Sequence, residues 1–89
     1  MDTVRRHIII SGDVQGVGLS YHLRSAADRF GVTGWVRNLY DGTVEAELEG
    51  LRADIDAVLD HAVRGSWAQV SEIRIQTVPV QGGYSFEVR

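Results

Sequence analysis

Apolar positions follow a helical period in two stretches of the chain. Between residues 19 and 30, apolar side chains recur at i, i+4, i+7, i+8 and i+11, which places them on one face of a helix. The same spacing returns between residues 51 and 62. Gly31 follows the first pattern as a natural C-cap, and Gly65 lies just beyond the second. The sequence therefore predicts two amphipathic helices, over 19–30 and 51–62.

The segments between and around these helices have the character of β-strands. Five of them predict strands, over residues 7–11, 34–39, 44–49, 70–75 and 84–88. The first is a β-branched run, which predicts a strand buried on both faces. In the third, apolar residues alternate with glutamates, so one face is expected to be exposed. Pro79 is expected to end the fourth strand.

The order of the predicted elements is strand, helix, strand, strand, helix, strand, followed by the short terminal strand. Two strand–helix–strand halves of similar length predict an α+β sandwich with the split βαβ arrangement, in which an antiparallel sheet carries two helices on one face. With 89 residues and no linker or low-complexity segment, the chain is expected to form a single domain over 1–89.

Composition excludes several kinds of chemistry. The chain has no cysteine, so thiolate metal sites and thiol nucleophiles are impossible. Its nine basic residues are all arginines, which excludes a Schiff-base lysine. The net charge of −3 argues against nucleic acid as a partner. Because no signal peptide or membrane-length apolar stretch is present, we expect a cytoplasmic protein without a membrane partner.

Residues 12–20, Gly-Asp-Val-Gln-Gly-Val-Gly-Leu-Ser, form the first candidate site. They lie between the first predicted strand and the first helix. Glycines let successive backbone N–H groups converge, and a helix N-terminus adds free N–H groups and a positive dipole end, so the segment suits a phosphate or carboxylate. A tight connection that needs glycine for positive φ explains the same pattern. The segment lacks the Lys-Ser/Thr of a Walker loop.

Asn38 is the second candidate, at the end of the second strand and just before a predicted turn at 40–42. A side-chain amide there can orient a water molecule or polarise an oxygen. An ordinary turn-capping asparagine is the competing interpretation.

Together these segments resemble the two signature motifs of the acylphosphatase family. The first is Gly12-x-Val14-Gln15-Gly16-Val17, and the second is Gly34-Trp35-Val36-Arg37-Asn38-x-x-Asp41-Gly42-x-Val44. Residues 66–70 and the Tyr84-x-Phe86-x-Val88 ending also resemble later segments of the family, so the resemblance covers nearly the whole chain. It implies a ferredoxin-like fold, which agrees with the predicted order of elements.

The resemblance also implies an activity and a site. Acylphosphatases hydrolyse the carboxyl-phosphate bond of small-molecule acyl phosphates by water attack, without a metal or cofactor. Loop amides and one arginine bind the phosphate, and an asparagine orients the water. The asparagine corresponds to Asn38. The binding loop corresponds to Val14, Gln15, Gly16, Val17, Gly18 and Leu19.

The family arginine does not carry over, because Ser20 occupies its position, and Leu19 stands where the family pattern has phenylalanine. A guanidinium offers a permanent charge and a bidentate fork, whereas a serine hydroxyl offers one neutral hydrogen bond. The resemblance therefore predicts weakened or absent turnover. Arg24, one turn further along the same helix face, is a candidate to compensate. Arg37 is expected to point to the other face of the sheet.

Two other function classes stay open alongside a weakened hydrolase. One is a non-catalytic module that binds phosphate or another anion in the same loop. The other is a partner-binding domain that kept the fold and lost the chemistry. Acylphosphatase-like domains also occur in the hydrogenase-maturation carbamoyltransferase family, which makes carbamoyl phosphate a substrate to test. We expect the chain to be a monomer.

Overall fold

The computed structural model describes residues 2–89, which form one five-stranded sheet and two helices. The elements follow the predicted order. They are β1 (Thr3–Asp13), α1 (Leu19–Phe30), β2 (Thr33–Asn38), β3 (Val44–Leu51), α2 (Arg52–Gly65), β4 (Gln69–Val78) and β5 (Phe86–Val88). The ferredoxin-like α/β architecture expected from the sequence is confirmed.

The strands lie in the order β4-β1-β3-β2-β5. β1 pairs antiparallel with both β3 and β4, and β2 pairs antiparallel with β3. β5 is the exception to the predicted antiparallel sheet, because it runs parallel to β2 over three residue pairs from Gly34 to Val36. The last two strands of the chain, β4 and β5, therefore form the two opposite edges of the sheet.

The core lies between the helices and one face of the sheet. Helix residues at the predicted apolar positions, such as Leu23 and Ile55, are fully buried against strand residues such as Ile8 and Leu48. The expectation that the first strand is buried on both faces is wrong. Its alternate residues point to the face without helices, where Ile9 is only half-buried.

The observed helices match the apolar spacing closely. α1 begins and ends at the predicted residues, and Gly31 caps it in the left-handed conformation with φ 69°. α2 begins one residue later than predicted and ends three residues beyond the predicted end at residue 62, so Gly65 is its last residue. The antiparallel packing of the two helices brings the C-terminus of α2 beside the N-terminus of α1, where the ring of His22 approaches Gly65.

Residues 79–85 cross the open face of the sheet from the β4 edge to the β5 edge. The carboxylate of Glu49 holds this crossing segment, accepting hydrogen bonds from the backbone N–H of Gln81 at 2.7 Å and of Gly82 at 2.9 Å. Glu49 also accepts a bond from Arg5 at 3.2 Å, and both side chains are nearly inaccessible to water. An ion pair between two strands therefore holds the middle of a segment that is not itself a strand.

The anchor predicts a specific acid sensitivity. Burial raises the pKa of Glu49, but hydrogen bonds from Gln81, Arg5 and Gly82 outweigh burial and leave the pKa below its ordinary value. A depressed folded-state pKa stabilises the protein above the unfolded pKa, about 4.3, and this stability is lost as pH falls through the folded pKa. We expect Glu49→Gln to lower the free energy of unfolding by about 2 kcal/mol at pH 7.

Urea unfolding at pH 7 and at several values below pH 4.3 measures this effect. The difference between wild type and Glu49→Gln should shrink as the pH falls. Glu87→Gln is the matched control, because Glu87 forms an exposed pair with Arg89 at 3.3 Å and should have little effect at any pH. A constant difference between wild type and Glu49→Gln across this range would contradict the role of the carboxylate charge.

No helix within residues 2–89 is long and apolar enough to cross a membrane.

Candidate functional site

The glycine-rich loop connects β1 to α1 through a run of bends at residues 15–18. Gly16 and Gly18 have φ values of 71° and 84°, a left-handed conformation that side chains with a Cβ rarely adopt. A Cβ at Gly16 would contact nothing within 4 Å, so conformation rather than space requires glycine there. Val14 and Leu19, at the two ends of the loop, are buried in the core and fix where it begins and ends.

Two carbonyls of the loop are engaged in backbone hydrogen bonds with the described residues, whereas its N–H groups are not. The carbonyl of Val17 accepts the N–H of Trp67 at 3.0 Å, and the carbonyl of Gly18 accepts the N–H of His22 at 3.0 Å. Within the described part of the chain, the backbone N–H groups of residues 15–20 donate no bond to another backbone carbonyl. These six consecutive peptide N–H groups are therefore not committed to any other part of the described backbone.

The N-terminus of α1 contributes to the same electrostatic environment. Gly18 is its N-cap and has no side chain to satisfy the first helical N–H groups, and the first turn carries no acidic residue. The positive end of the helix dipole is consequently neither capped nor neutralised by a side chain of that turn. Loop and helix together form a cradle for a negatively charged group, which we call the anion cradle (residues 14–20).

Gln15 connects the anion cradle to the turn between β2 and β3. Its side-chain amide donates to the carbonyl of Leu39 at 2.8 Å and to that of Thr43 at 2.9 Å. These two bonds fix the loop relative to the end of β2, although 24 residues separate Gln15 from Leu39 in the chain. The sequence identified Gln15 only as a member of the loop and did not reveal its hydrogen bonds to Leu39 and Thr43.

Asn38 is the last residue of β2 and lies at the same end of the sheet. Val36, two residues earlier, faces the helices and is fully buried. Because side chains alternate along a strand, Asn38 points to the same side of the sheet, where it is exposed. Asn38 and Gln15 line one depression of about 430 Å³, together with Leu39 and Tyr40. The structure therefore places Asn38, the second candidate, beside the glycine-rich loop, which is the first.

Ser20 and Arg24 occupy successive turns of α1. Ser20 is the second residue of the helix and the last residue of the anion cradle, and it is half-buried, whereas Arg24 is exposed. Because four residues separate them, the two side chains lie on the same face of α1, as predicted. A side chain at position 20 can reach the cradle directly, while Arg24 starts one turn further away.

Arg37 lies on the opposite face of the sheet from Asn38, as predicted. Its guanidinium bonds to Glu45 and lies 5.5 Å from the centre of the Trp35 ring. Glu45 also contacts His7 at 2.7 Å. Burial raises the pKa of Glu45, and the bonds from His7 and Arg37 lower it by more. The charge of Arg37 is thus engaged in a network away from the anion cradle.

Residues 2–89 contain no group of three or more histidine, aspartate or glutamate side chains placed to hold a metal ion. The polar groups in and beside the cradle are peptide N–H groups, the amides of Gln15 and Asn38, and the hydroxyl of Ser20. The amides, the hydroxyl and the peptide groups are neutral at ordinary pH. The arrangement can therefore bind an anion and orient water, and it depends on dipoles for both.

Comparison with known proteins points to one family. The family model described as acylphosphatase matches residues 6–88. An acylphosphatase from Moorella thermoacetica is 40% identical, over 100% of this chain and 97% of its own. One from Synechococcus sp. is 46% identical, over 99% and 95% of the two chains. The structure of an acylphosphatase from Coxiella burnetii superposes with a TM-score of 0.88 at 31% identity, over 99% and 94% of the two chains.

Proposed function

Because the chain belongs to the acylphosphatase family, we propose that it hydrolyses small-molecule acyl phosphates to a carboxylate and phosphate, with the anion cradle and Asn38 as its site. The observation that carries this proposal is the run of six uncommitted backbone N–H groups at residues 15–20, placed beside the exposed amide of Asn38. The rate is expected to be low, because Ser20 stands in place of an arginine.

The anion cradle is proposed to hold the phosphoryl group. Peptide N–H groups and the dipole of α1 offset the negative charge on its non-bridging oxygens. Phosphoryl transfer passes through a loose transition state in which charge spreads over these oxygens, so catalysis rests mainly on positioning and electrostatic stabilisation. Donors that are fixed before the substrate arrives need no reorganisation during the reaction.

Asn38 is proposed to position the attacking water. Its amide oxygen accepts a hydrogen bond from the water, which directs a lone pair of the water oxygen toward phosphorus. The new bond forms between the water oxygen and phosphorus, and the bond between phosphorus and the carboxyl oxygen breaks. The water protons pass to solvent or to the phosphate produced. The bonds of Gln15 to Leu39 and Thr43 hold the water-binding end of β2 at a fixed distance from the cradle.

The leaving group explains why neutral side chains are sufficient. A carboxylate has a pKa of about 4, so it departs as a stable anion at neutral pH and needs no proton from the protein. A general acid is required when the leaving group is a strong base, as an amine or alkoxide is. The absence of a titratable side chain in the proposed mechanism is thus compatible with cleaving a carboxyl-phosphate bond.

Hydrolysis of benzoyl phosphate at neutral pH, together with thermal unfolding in the presence of inorganic phosphate, tests the proposal. We expect slow but measurable release of benzoate above the uncatalysed rate, and a phosphate-dependent rise in Tm, because a ligand that binds only the folded state stabilises it. Carbamoyl phosphate and acetyl phosphate extend the assay to other acyl groups. Absence of turnover for all three substrates would overturn the proposed reaction.

The assay also separates the two alternative functions. A rise in Tm with phosphate but no turnover would indicate a non-catalytic anion-binding module that uses the same loop. Neither response would favour a partner-binding domain. The family relationship supports a small-molecule acyl phosphate as the ligand. A cytoplasmic location, a monomeric state and the lack of nucleic-acid, membrane or cofactor partners stay predictions from the sequence.

A further inference from the structure

The turn between β2 and β3 displays a tyrosine that contacts almost nothing. Tyr40 has a relative exposure of 112%, so its ring adds nothing to the core. The position follows Leu39 and precedes Asp41-Gly42, where polar residues usually stand in turns. Packing in the core therefore does not explain why an aromatic residue occupies this turn.

The backbone that carries Tyr40 is fixed by several hydrogen bonds. The N–H of Leu39 donates to the carbonyl of Thr43 at 2.9 Å, and the N–H of Gly42 donates to the carbonyl of Leu39 at 3.1 Å. The carboxylate of Asp41 accepts both the N–H and the hydroxyl of Thr43, at 3.0 and 2.6 Å. Tyr40 therefore projects from an ordered turn rather than from a loose loop.

The same turn is attached to the anion cradle. Gln15 bonds to the carbonyls of Leu39 and Thr43, one on each side of Tyr40. Tyr40 and Leu39 then line the depression of about 430 Å³ whose other walls are Gln15 and Asn38. The lining of this depression thus combines two polar residues, one of which carries the proposed water-binding amide, with one aromatic and one aliphatic residue.

We propose that Tyr40 and Leu39 form a binding subsite for the acyl group, and that this subsite selects acyl phosphates with an aromatic or similarly flat apolar acyl group. The inference rests on the proposed function, since it takes the cradle as the place of the phosphoryl group. In an acyl phosphate the carbonyl carbon is joined to phosphorus through a single oxygen. An acyl group that extends from the cradle past Asn38 consequently enters the depression that Tyr40 and Leu39 line.

The side chains of Tyr40 and Leu39 determine which acyl groups bind more tightly. A phenyl ring gains from offset or edge-to-face contact with the Tyr40 ring, and from contact with Leu39. An acetyl group is too small to reach both. Contacts of this kind correspond to about a three- to tenfold preference in binding. The preference acts on the acyl group alone, so binding of inorganic phosphate is unaffected.

Two non-hydrolysable analogues, benzoylphosphonate and acetylphosphonate, test the subsite by direct titration. We expect Tyr40→Ala to weaken benzoylphosphonate binding about three- to tenfold and to leave the Kd values for acetylphosphonate and inorganic phosphate unchanged. Tyr40→Phe should retain most of the preference, because the ring remains. Tyr84→Ala is the matched control, since Tyr84 is 100% exposed but lies in the crossing segment (residues 79–85), outside this depression.

The outcomes distinguish this inference from the proposed function. Equal losses for both phosphonates in Tyr40→Ala, or no loss for either, would overturn the subsite. A benzoyl preference that Tyr40→Ala removes, in a protein that hydrolyses no acyl phosphate, would sustain the subsite and reject the reaction. If wild type and Tyr40→Ala hydrolyse benzoyl and acetyl phosphate with the same ratio of kcat/KM, the reaction stands and the subsite fails. Tyr40→Ala should fold normally, because the side chain is outside the core.

Discussion

Ser20→Arg is expected to raise kcat/KM for benzoyl phosphate by about 10³-fold, the lower end of what an arginine contributes in other phosphoryl-transfer enzymes. Position 20 is the second residue of α1 and the half-buried last residue of the anion cradle. A guanidinium there can bond two non-bridging oxygens at once and supplies a full positive charge, whereas the present cradle offers only dipoles. Initial rates of benzoate release by the two proteins, measured side by side, give the comparison.

Two further variants show whether charge or geometry is responsible. Ser20→Lys supplies the charge without the bidentate fork, so a gain well below that of Ser20→Arg is expected. Arg24→Ala tests whether the exposed arginine one turn away already fills the role in the present chain. Turnover that falls in Arg24→Ala, combined with no gain in Ser20→Arg, would contradict the view that the cradle lacks a cation.

Much of the fold could be predicted because the determining signals are local. The bounds of α1 follow from the spacing of its apolar residues and from Gly31, and the observed helix matches them. The anion cradle could likewise be located from its glycines and from the helix that follows it. In both cases, residues close together in the chain determine the local conformation.

The rest depends on contacts between distant segments. Tyr84 was predicted to begin the last strand, but β5 comprises only Phe86–Val88. The preceding residues must cross from the β4 edge to the β5 edge, and their anchor, Glu49, lies more than 30 residues earlier in the chain. Alternation of apolar residues does not encode such a crossing.

The site shows the same division. The sequence identified Asn38 and the loop, but not the bonds of Gln15 that hold them together, because these join segments 24 and 28 residues apart. The exposed ring of Tyr40 was also missed, although an aromatic residue within an Asp-Gly turn was a usable signal. The residue types indicate the chemistry of the site. Which groups come together depends on how the β1–α1 loop packs against the turn between β2 and β3.

Asn38→Ala is expected to lower kcat by about 10²–10³-fold, because removing one fixed polar group that orients a reactant usually costs this much. The Kd for inorganic phosphate, measured by titration, should stay unchanged, since the backbone donors of the cradle are untouched. The measurement is sharpest in the Ser20→Arg background, where turnover is higher and a large decrease can be resolved.

The neighbouring residue supplies the matched control. Arg37 adjoins Asn38 in β2 but faces the other side of the sheet, where it bonds to Glu45. Arg37→Ala should therefore leave turnover unchanged even though it changes the residue adjacent to Asn38 and removes a positive charge. Equal losses in Arg37→Ala and Asn38→Ala would indicate a general effect on β2, and unchanged turnover in Asn38→Ala would remove Asn38 from the mechanism. A selective loss of kcat in Asn38→Ala, with phosphate binding retained, separates positioning of the water from binding of the phosphoryl group.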